Sequence, residues 1–507
     1  MQKNILEYLE NTVKRFPNKI AIIDEKASIN FEDLQKEAKS IASFLQSKKI
    51  DKNLPIGVFL PKSIDAIKSF LGVLYNGDFY VPIDIKNPIN RIEAIISNLE
   101  IKYIITDTKS ANFLNKLNIK IELVLLDNIN FDSNINWDYS NYKLAIDTDP
   151  AYIINTSGST GVPKGVVVSH KSVIDYIDWG IDTFKIDSNF KIGNQAPFIF
   201  DNSVLDIYLS LATGATLNLI PESLFMFPVK LIEYIKNESI NFIFWVPSIM
   251  ANIVTFDLLK DKNLDFKIVS FAGEVMPTKI LNYWKKHIPN ALFVNLYGPT
   301  EITVDCTYFI VNRDFIDDEP LPIGFACKNT DVLVLDDEDK LVTEQNKIGE
   351  LCVRGSSLAL GYYNDPEKTA LAFVQNPLNK AYPEKIYRTG DLVYYNERNE
   401  IIYKGRKDFQ IKHMGYRIEL GEIETAILAI NGVDNACILY DSENKNIVLI
   451  YESSSNITKN EILVSLSDKL PKYMIPNKFT LLDKIPLNVS GKIDRSYLKK
   501  EYLKGEK

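Results

Sequence analysis

Short apolar runs alternate with stretches of helical period along most of this 507-residue chain, and nothing else in the sequence limits the fold as strongly. Residues 19–23, 54–60, 79–83 and 101–106 read as strands. Helices are predicted between them over 31–46, 63–75 and 91–99, after a first helix over 4–16 that Pro17 stops. Strands separated by helices come together in parallel, so the predicted class is α/β, with helices covering parallel sheets. A helix at 172–181 and buried strands at 242–246 and 267–271 extend the pattern. Near Leu321 the segments become shorter and more irregular, as at 330–335 and 350–354, which predicts a compact β subdomain before residue 400. From Phe409 a smaller α/β unit is expected, with a helix over 422–430 and strands over 436–439 and 447–451. The expected division is therefore a large domain, 1–408, and a small mobile one, 409–507.

Charge changes at the same place. Residues 409–507 hold 14 Lys+Arg against 13 Asp+Glu, a net of +1, whereas the whole chain is at −8. The last 39 residues, from Lys469, hold 10 basic and 4 acidic groups, a solvated surface or a docking face for an acidic partner. The overall acidity argues against a nucleic-acid partner, which needs a basic footprint. Cys306, Cys327, Cys352 and Cys437 are far apart with no C-x-x-C spacing, so neither a disulfide framework nor a zinc site is expected. The amphipathic N-terminus shows no signal peptide, and the most apolar stretch, 242–254, is too short to span a bilayer. A cytoplasmic protein with no membrane partner is the expectation.

One loop carries the chemistry. Thr156-Ser157-Gly158-Ser159-Thr160-Gly161-Val162-Pro163-Lys164-Gly165 follows a strand-like run, 151–154, and precedes another, 166–168. Its glycines let backbone N–H groups turn inward, its hydroxyls add donors, and Lys164 adds a point charge, a set suited to a polyphosphate. The order of residues is not that of a Walker A loop. Downstream, Asn295-Leu296-Tyr297-Gly298-Pro299-Thr300-Glu301 offers a flat ring, a hydroxyl and a hard oxygen ligand for Mg²⁺. Tyr387-Arg388-Thr389-Gly390-Asp391, Gly405-Arg406-Lys407-Asp408 and residues 486–495, which include Lys492, complete an ordered set.

These five segments resemble those of the adenylate-forming enzymes, which include acyl-CoA synthetases, luciferases and the adenylation domains of nonribosomal peptide synthesis. The resemblance implies ATP and Mg²⁺ as cofactors. It assigns nucleotide binding to Thr156, Ser157, Gly158, Ser159, Thr160, Gly161, Asn295, Tyr297, Gly298, Pro299, Thr300, Asp391, Tyr403 and Arg406. Lys164, Glu301 and Lys492 would be catalytic, with Glu301 holding the metal and a hinge near Asp408. Two half-reactions follow: a carboxylate attacks the α-phosphorus of ATP, then a thiol takes the acyl group as the segment 413–419 replaces Lys492. In amino-acid-activating members an aspartate at the place of Asp201 binds the α-ammonium; a helix-capping role is the plainer alternative.

Residues 194–206, 273–277, 408–412 and 415–417 are most similar to D-alanine–D-alanyl carrier protein ligases. Those enzymes have a cysteine where this chain has Ala272, and a small apolar residue after the valine matching Val304, where this chain has Asp305. The substrate set is thus Asp201, Ala272, Val304 and Asp305, and a small amino acid (D-alanine-like, alanine or serine) is expected. No Asp-Ser-Leu-type attachment site is found, so the expected acceptor is a separate phosphopantetheinylated carrier protein. Two alternatives remain at this level. An acyl-CoA synthetase shares the fold but leaves Asp201 unexplained, and a silent nucleotide-sensing scaffold leaves the intact Lys164, Glu301, Asp391 and Lys492 unexplained.

Overall fold

The computed structural model describes residues 2–50, 52–131, 137–138, 140–158, 163–260, 262–455, 457–487 and 493–503. Ser159, Thr160, Gly161 and Lys492 lie outside the described residues. The alternating pattern folds as the predicted α/β class, with two large sheets. One has seven strands, in which Phe79–Pro82, Pro55–Phe59, Tyr103–Thr106 and Glu122–Leu125 run parallel. The other has nine, with a parallel centre of Leu292–Tyr297, Ile268–Phe271, Phe242–Trp245, Lys191–Asn194, Thr216–Leu219 and Ile20–Ile23.

Local chemistry sets the helix ends. Asn30 accepts a hydrogen bond from the Asp33 N–H and starts Phe31–Ser47. Ser63 does the same for Ile64–Asn76, and Gly77, at φ +86°, ends that helix in the left-handed conformation. Helix Ile64–Asn76 is buried at every residue but Asp65, as a helix covered on both sides must be.

The irregular β region closes as a five-stranded sheet in which Gly349–Gly355, Lys385–Tyr395 and Ile401–Arg406 are antiparallel neighbours. Beyond it, Gln410–His413 and Tyr416–Glu419 form a hairpin, followed by helix Leu420–Leu428 and a three-stranded sheet of Asn435–Asp441, Asn446–Glu452 and Lys478–Leu481. This last sheet shows the period of two. Ala436 and Ile438 face one apolar cluster with Ile423 and Ile427, while Cys437 and Leu439 face another with Ile485 and Leu498. Neither cluster includes a residue from before 411, so the C-terminal segment has its own core.

The phosphate-type loop joins two strands of the seven-stranded sheet. Strand Pro150–Thr156 pairs antiparallel with Lys164–Ser169, and Thr156 stands opposite Lys164. The sequence reading places Lys164 in the loop; the ladder instead captures it as the first strand residue, which fixes its backbone. No helix among the described residues is long and apolar enough to cross a membrane.

Candidate active site

The strand ends bring the separated motifs to one cleft. Its walls include Thr156, Ser157, Asp201, Ala272, Gly298, Pro299, Thr300, Asp305, Asp391 and Arg406, ten of the residues singled out from sequence. They arrive from different strands of both large sheets and from the β subdomain, at the carboxyl ends where open α/β sheets place ligands. Gly298 is required by packing: a Cβ there would lie 2.3 Å from the Val304 carbonyl oxygen. Thr303 and Val304 both adopt positive φ, +61° and +69°, a strained turn for β-branched residues that swings Asp305 towards the cleft.

Asp201 occupies the position before helix Asn202–Thr213, yet its side chain makes no capping hydrogen bond. The capping alternative is thereby excluded. Its carboxylate faces the cleft instead, with the Thr300 hydroxyl as donor. Burial pushes this carboxyl up to about 6, and neither Thr300 nor the charge of Lys412 fully offsets that. Asp305 is 2% exposed. The Tyr176 hydroxyl donates to its Oδ2 at 2.6 Å, and burial raises the group to about 7. Two carboxylates thus share a cleft with one lysine, Lys412, whose charge bears on both.

Glu301 is fully buried. Burial works against its charge, but the Arg417 guanidinium, 2.7 Å from Oε2, and the Lys164 ammonium hold it down at about 2. The Tyr362 hydroxyl donates to Oε1 at 2.9 Å. A permanently ionised oxygen ligand at the base of the loop fits Mg²⁺, which takes one or two carboxylates plus substrate phosphates and waters. Three further polar atoms, the Thr156 hydroxyl oxygen and both heteroatoms of the Asn155 amide, are buried without protein hydrogen-bond partners, and both residues line the cleft. Asp391 is engaged by Arg406, at 2.9 Å from Oδ1, and by the Tyr297 hydroxyl on Oδ2. Tyr297 and Tyr403 have ring centroids 6.4 Å apart just behind it.

Seven described sequence-derived residues stand back from the cleft walls: Gly158, Lys164, Asn295, Tyr297, Glu301, Val304 and Tyr403. Val304 packs in the main core, Asn295 donates from Nδ2 to the Pro322 carbonyl at 2.8 Å, and Lys164 lies over the Tyr362 ring. The sequence reading missed a further group, brought from beyond Asp408: Gln410, Lys412, Tyr416 and Arg417 on the hairpin and Tyr473 on the one-turn helix Lys472–Met474 all line the cleft, with Arg91 opposite. The Gly415 N–H donates to Glu274 at 2.9 Å, and its missing side chain lets it sit against Val246. Only the assignment of 413–419 to a second step hinted at this. Charged residues on a short hairpin are otherwise indistinguishable from a solvated surface.

A family model described as AMP-binding enzyme matches residues 9–363. The chain belongs to that family. Zwittermicin A synthase ZmaJ of Bacillus cereus is 32% identical over 98% of this chain and 95% of its own length. Tyrocidine synthase 1 of Brevibacillus parabrevis is 30% identical over 98% of this chain, which spans only 45% of that longer protein. Among solved structures, the Vibrio cholerae adenylation domain AlmE, in complex with glycyl-adenosine-5'-phosphate, superimposes with a TM-score of 0.85 at 20% identity, covering 99% and 98% of the two chains. A nonribosomal peptide synthetase protein with adenylation and PCP domains, bound to a vinylsulfonamide inhibitor, gives 0.84 at 23% identity over 98% and 84%. The fold of this AMP-binding enzyme is therefore that of the adenylation domains.

Proposed function

We propose that this enzyme activates a small α-amino acid with ATP and transfers it to the phosphopantetheine thiol of a separate carrier protein. The observation that carries the reading is Asp201: a cleft carboxylate, 9% exposed, relieved of capping duty and held at about 6 by burial. Such a group calls for a cationic partner, and the α-ammonium of a substrate is one. A fatty or aryl acid would leave it unpaired, which disfavours the acyl-CoA synthetase alternative. The Vibrio cholerae adenylation domain of the same fold, in complex with glycyl-adenosine-5'-phosphate, supports an amino-acid substrate.

In the first half-reaction, loop donors and Lys164 hold the leaving phosphates while Glu301 would hold Mg²⁺, which neutralises charge on them. Asp391 and Arg406 orient the nucleotide. The protein positions groups for in-line displacement and stabilises charge. Residues 1–408 and 409–507 act as two units about a hinge at Asp408, whose carboxylate grips Arg406 at 2.6 Å through both Nε and Nη2. In the orientation seen here the 410–419 hairpin lines the cleft, and Ile493, just past Lys492, packs on the far apolar cluster, with Arg495 paired to Glu424. That is the arrangement suited to the second half-reaction. Asp408→Pro, which fixes φ, should therefore impair one half-reaction far more than the other. Single-turnover measurement of adenylate formation and thiol transfer checks it, and equal effects on both steps would move the hinge elsewhere.

Amino-acid-dependent ATP–pyrophosphate exchange across a substrate panel tests the proposal itself. The expected substrates are small, and Asp305 favours a side chain that donates a hydrogen bond, so serine should lead alanine and glycine. Because Asp305 titrates at about 7, this preference should strengthen as pH rises from 6 to 8 and the carboxylate ionises. Asp305→Ala should level serine and alanine, a change of ~1–3 kcal/mol. Activation of fatty or aryl acids and no amino acid would refute the proposal.

A further inference from the structure

Asp305 is held from behind the cleft. No described residue of helix His170–Phe184 lines the cleft, yet the Tyr176 hydroxyl of that helix donates to Asp305 Oδ2 at 2.6 Å. The two residues are 3% and 2% exposed. The ring that carries the hydroxyl belongs to the main apolar core and stacks on Trp179, with centroids 5.5 Å apart. Trp179 in turn meets Tyr308 edge to face at 5.3 Å. The Asp305 backbone is fixed as well: its N–H donates to the Thr303 carbonyl at 3.0 Å, in the turn where Thr303 and Val304 adopt positive φ. Among the described residues no other hydrogen bond engages the carboxylate, so Oδ1 is the oxygen left for the cleft.

We propose that Tyr176 is a positioning residue for substrate selection: by pinning Oδ2 it presents Asp305 Oδ1 alone to the side chain of the bound amino acid, and so selects a hydroxyl-bearing side chain. The inference rests on the proposed function for the place of the amino acid. A tyrosine hydroxyl has a single proton, and this one goes to Oδ2. Burial, with the Asp305 charge beside it, keeps the Tyr176 hydroxyl protonated, far above its usual range. An ionised Asp305 then offers Oδ1 as an acceptor, and a neutral one carries its proton on Oδ1 and offers a donor. A hydroxyl matches both states, because it donates and accepts. A methyl group matches neither and leaves a buried polar atom unpaired, and an ammonium matches only the ionised state. The other ionisable groups about Asp305 are Asp201, Lys412 of the hairpin and the Cys306 and Cys327 thiols. Burial pushes both thiols up, so they stay neutral. Asp201 and Lys412 act on every bound amino acid alike and cancel from a ratio of two substrates.

Amino-acid-dependent ATP–pyrophosphate exchange with serine, alanine and O-methylserine tests this on the full chain; the oxygen of O-methylserine accepts a hydrogen bond but cannot donate one. In Tyr176→Phe the ratio of kcat/KM for serine to that for alanine should fall about tenfold at pH 8, as expected for loss of one hydrogen bond to a charged group. Burial raises the Asp305 carboxyl to about 7, and the Tyr176 donor opposes that rise. Without the donor, the pH at which the serine preference grows should therefore move upward. In an Asp305→Ala background, Tyr176→Phe should change the ratio no further. A merely structural role would lower both substrates together and leave the ratio and its pH dependence in place, and that result would overturn the proposal. The native chain offers a check that needs no folded variant: the ratio of serine to O-methylserine should rise between pH 6 and 8, as Oδ1 turns from donor to acceptor. A flat ratio across that range overturns the proposal too. A chain that activates no amino acid refutes the proposed function; one that activates serine with the same selectivity after Tyr176→Phe refutes the role of Tyr176 alone.

Discussion

Asp201→Asn should remove amino-acid-dependent exchange by roughly 10²–10³-fold in kcat/KM while ATP binding stays measurable by calorimetry. The substitution keeps the shape and discharges the group, so the α-ammonium loses its only proposed counter-charge in a cleft where the carboxylate is already short of solvent. The native enzyme should show the same dependence on pH. Asp201 titrates at about 6, so the KM for amino acid should rise as pH falls through 6, and the variant should lack that limb. Stability should move the other way. The folded chain binds the Asp201 proton more tightly than the unfolded one, where the group titrates at 3.8. Asp201 therefore lowers stability as pH rises from about 4 to about 6, and Asp201→Asn should stabilise the ligand-free protein at pH 8 by about 1–3 kcal/mol. Thermal melts with and without amino acid check this. A variant that loses both activity and stability would mark Asp201 as structural.

Lys492→Ala should separate the half-reactions. If Lys492 neutralises charge only while the adenylate forms, its loss slows that step by ~10²–10³, as loss of one electrostatic donor does. Transfer from a chemically prepared aminoacyl-adenylate to a carrier thiol should survive, because in that orientation the cleft is served by Lys412 and Arg417 instead. Rapid-quench assays of the two steps decide it. Equal loss of both steps in a folded variant removes the role from Lys492.

Much of the fold was legible because local rules and tertiary packing agree. The helix predicted over 31–46 is Phe31–Ser47, started by an asparagine cap, and the strand predicted over 242–246 is Phe242–Trp245, buried on both faces. Lys164 was misplaced because glycine and proline around it advertise a loop, whereas pairing with Thr156 draws it into a ladder. The second sheet was not visible as distinct from the first, since pattern reports that a strand is buried but not which partner it meets.

For the site, the chain's own order determined which residue types could meet a nucleotide: a loop of glycines and hydroxyls, an acid for a metal, an acid for an ammonium. Those are properties of side chains and short turns, and they survive without knowledge of neighbours. Tertiary structure alone decided what each acid experiences. Asp201, Asp305 and Glu301 are the same chemical group, yet they titrate at about 6, about 7 and about 2. The first two are buried with weak donors, and the third is buried between two cations supplied from 116 residues downstream and 137 upstream, Arg417 and Lys164. Burial and Coulomb interaction depend on distance in space, and the fold sets that distance.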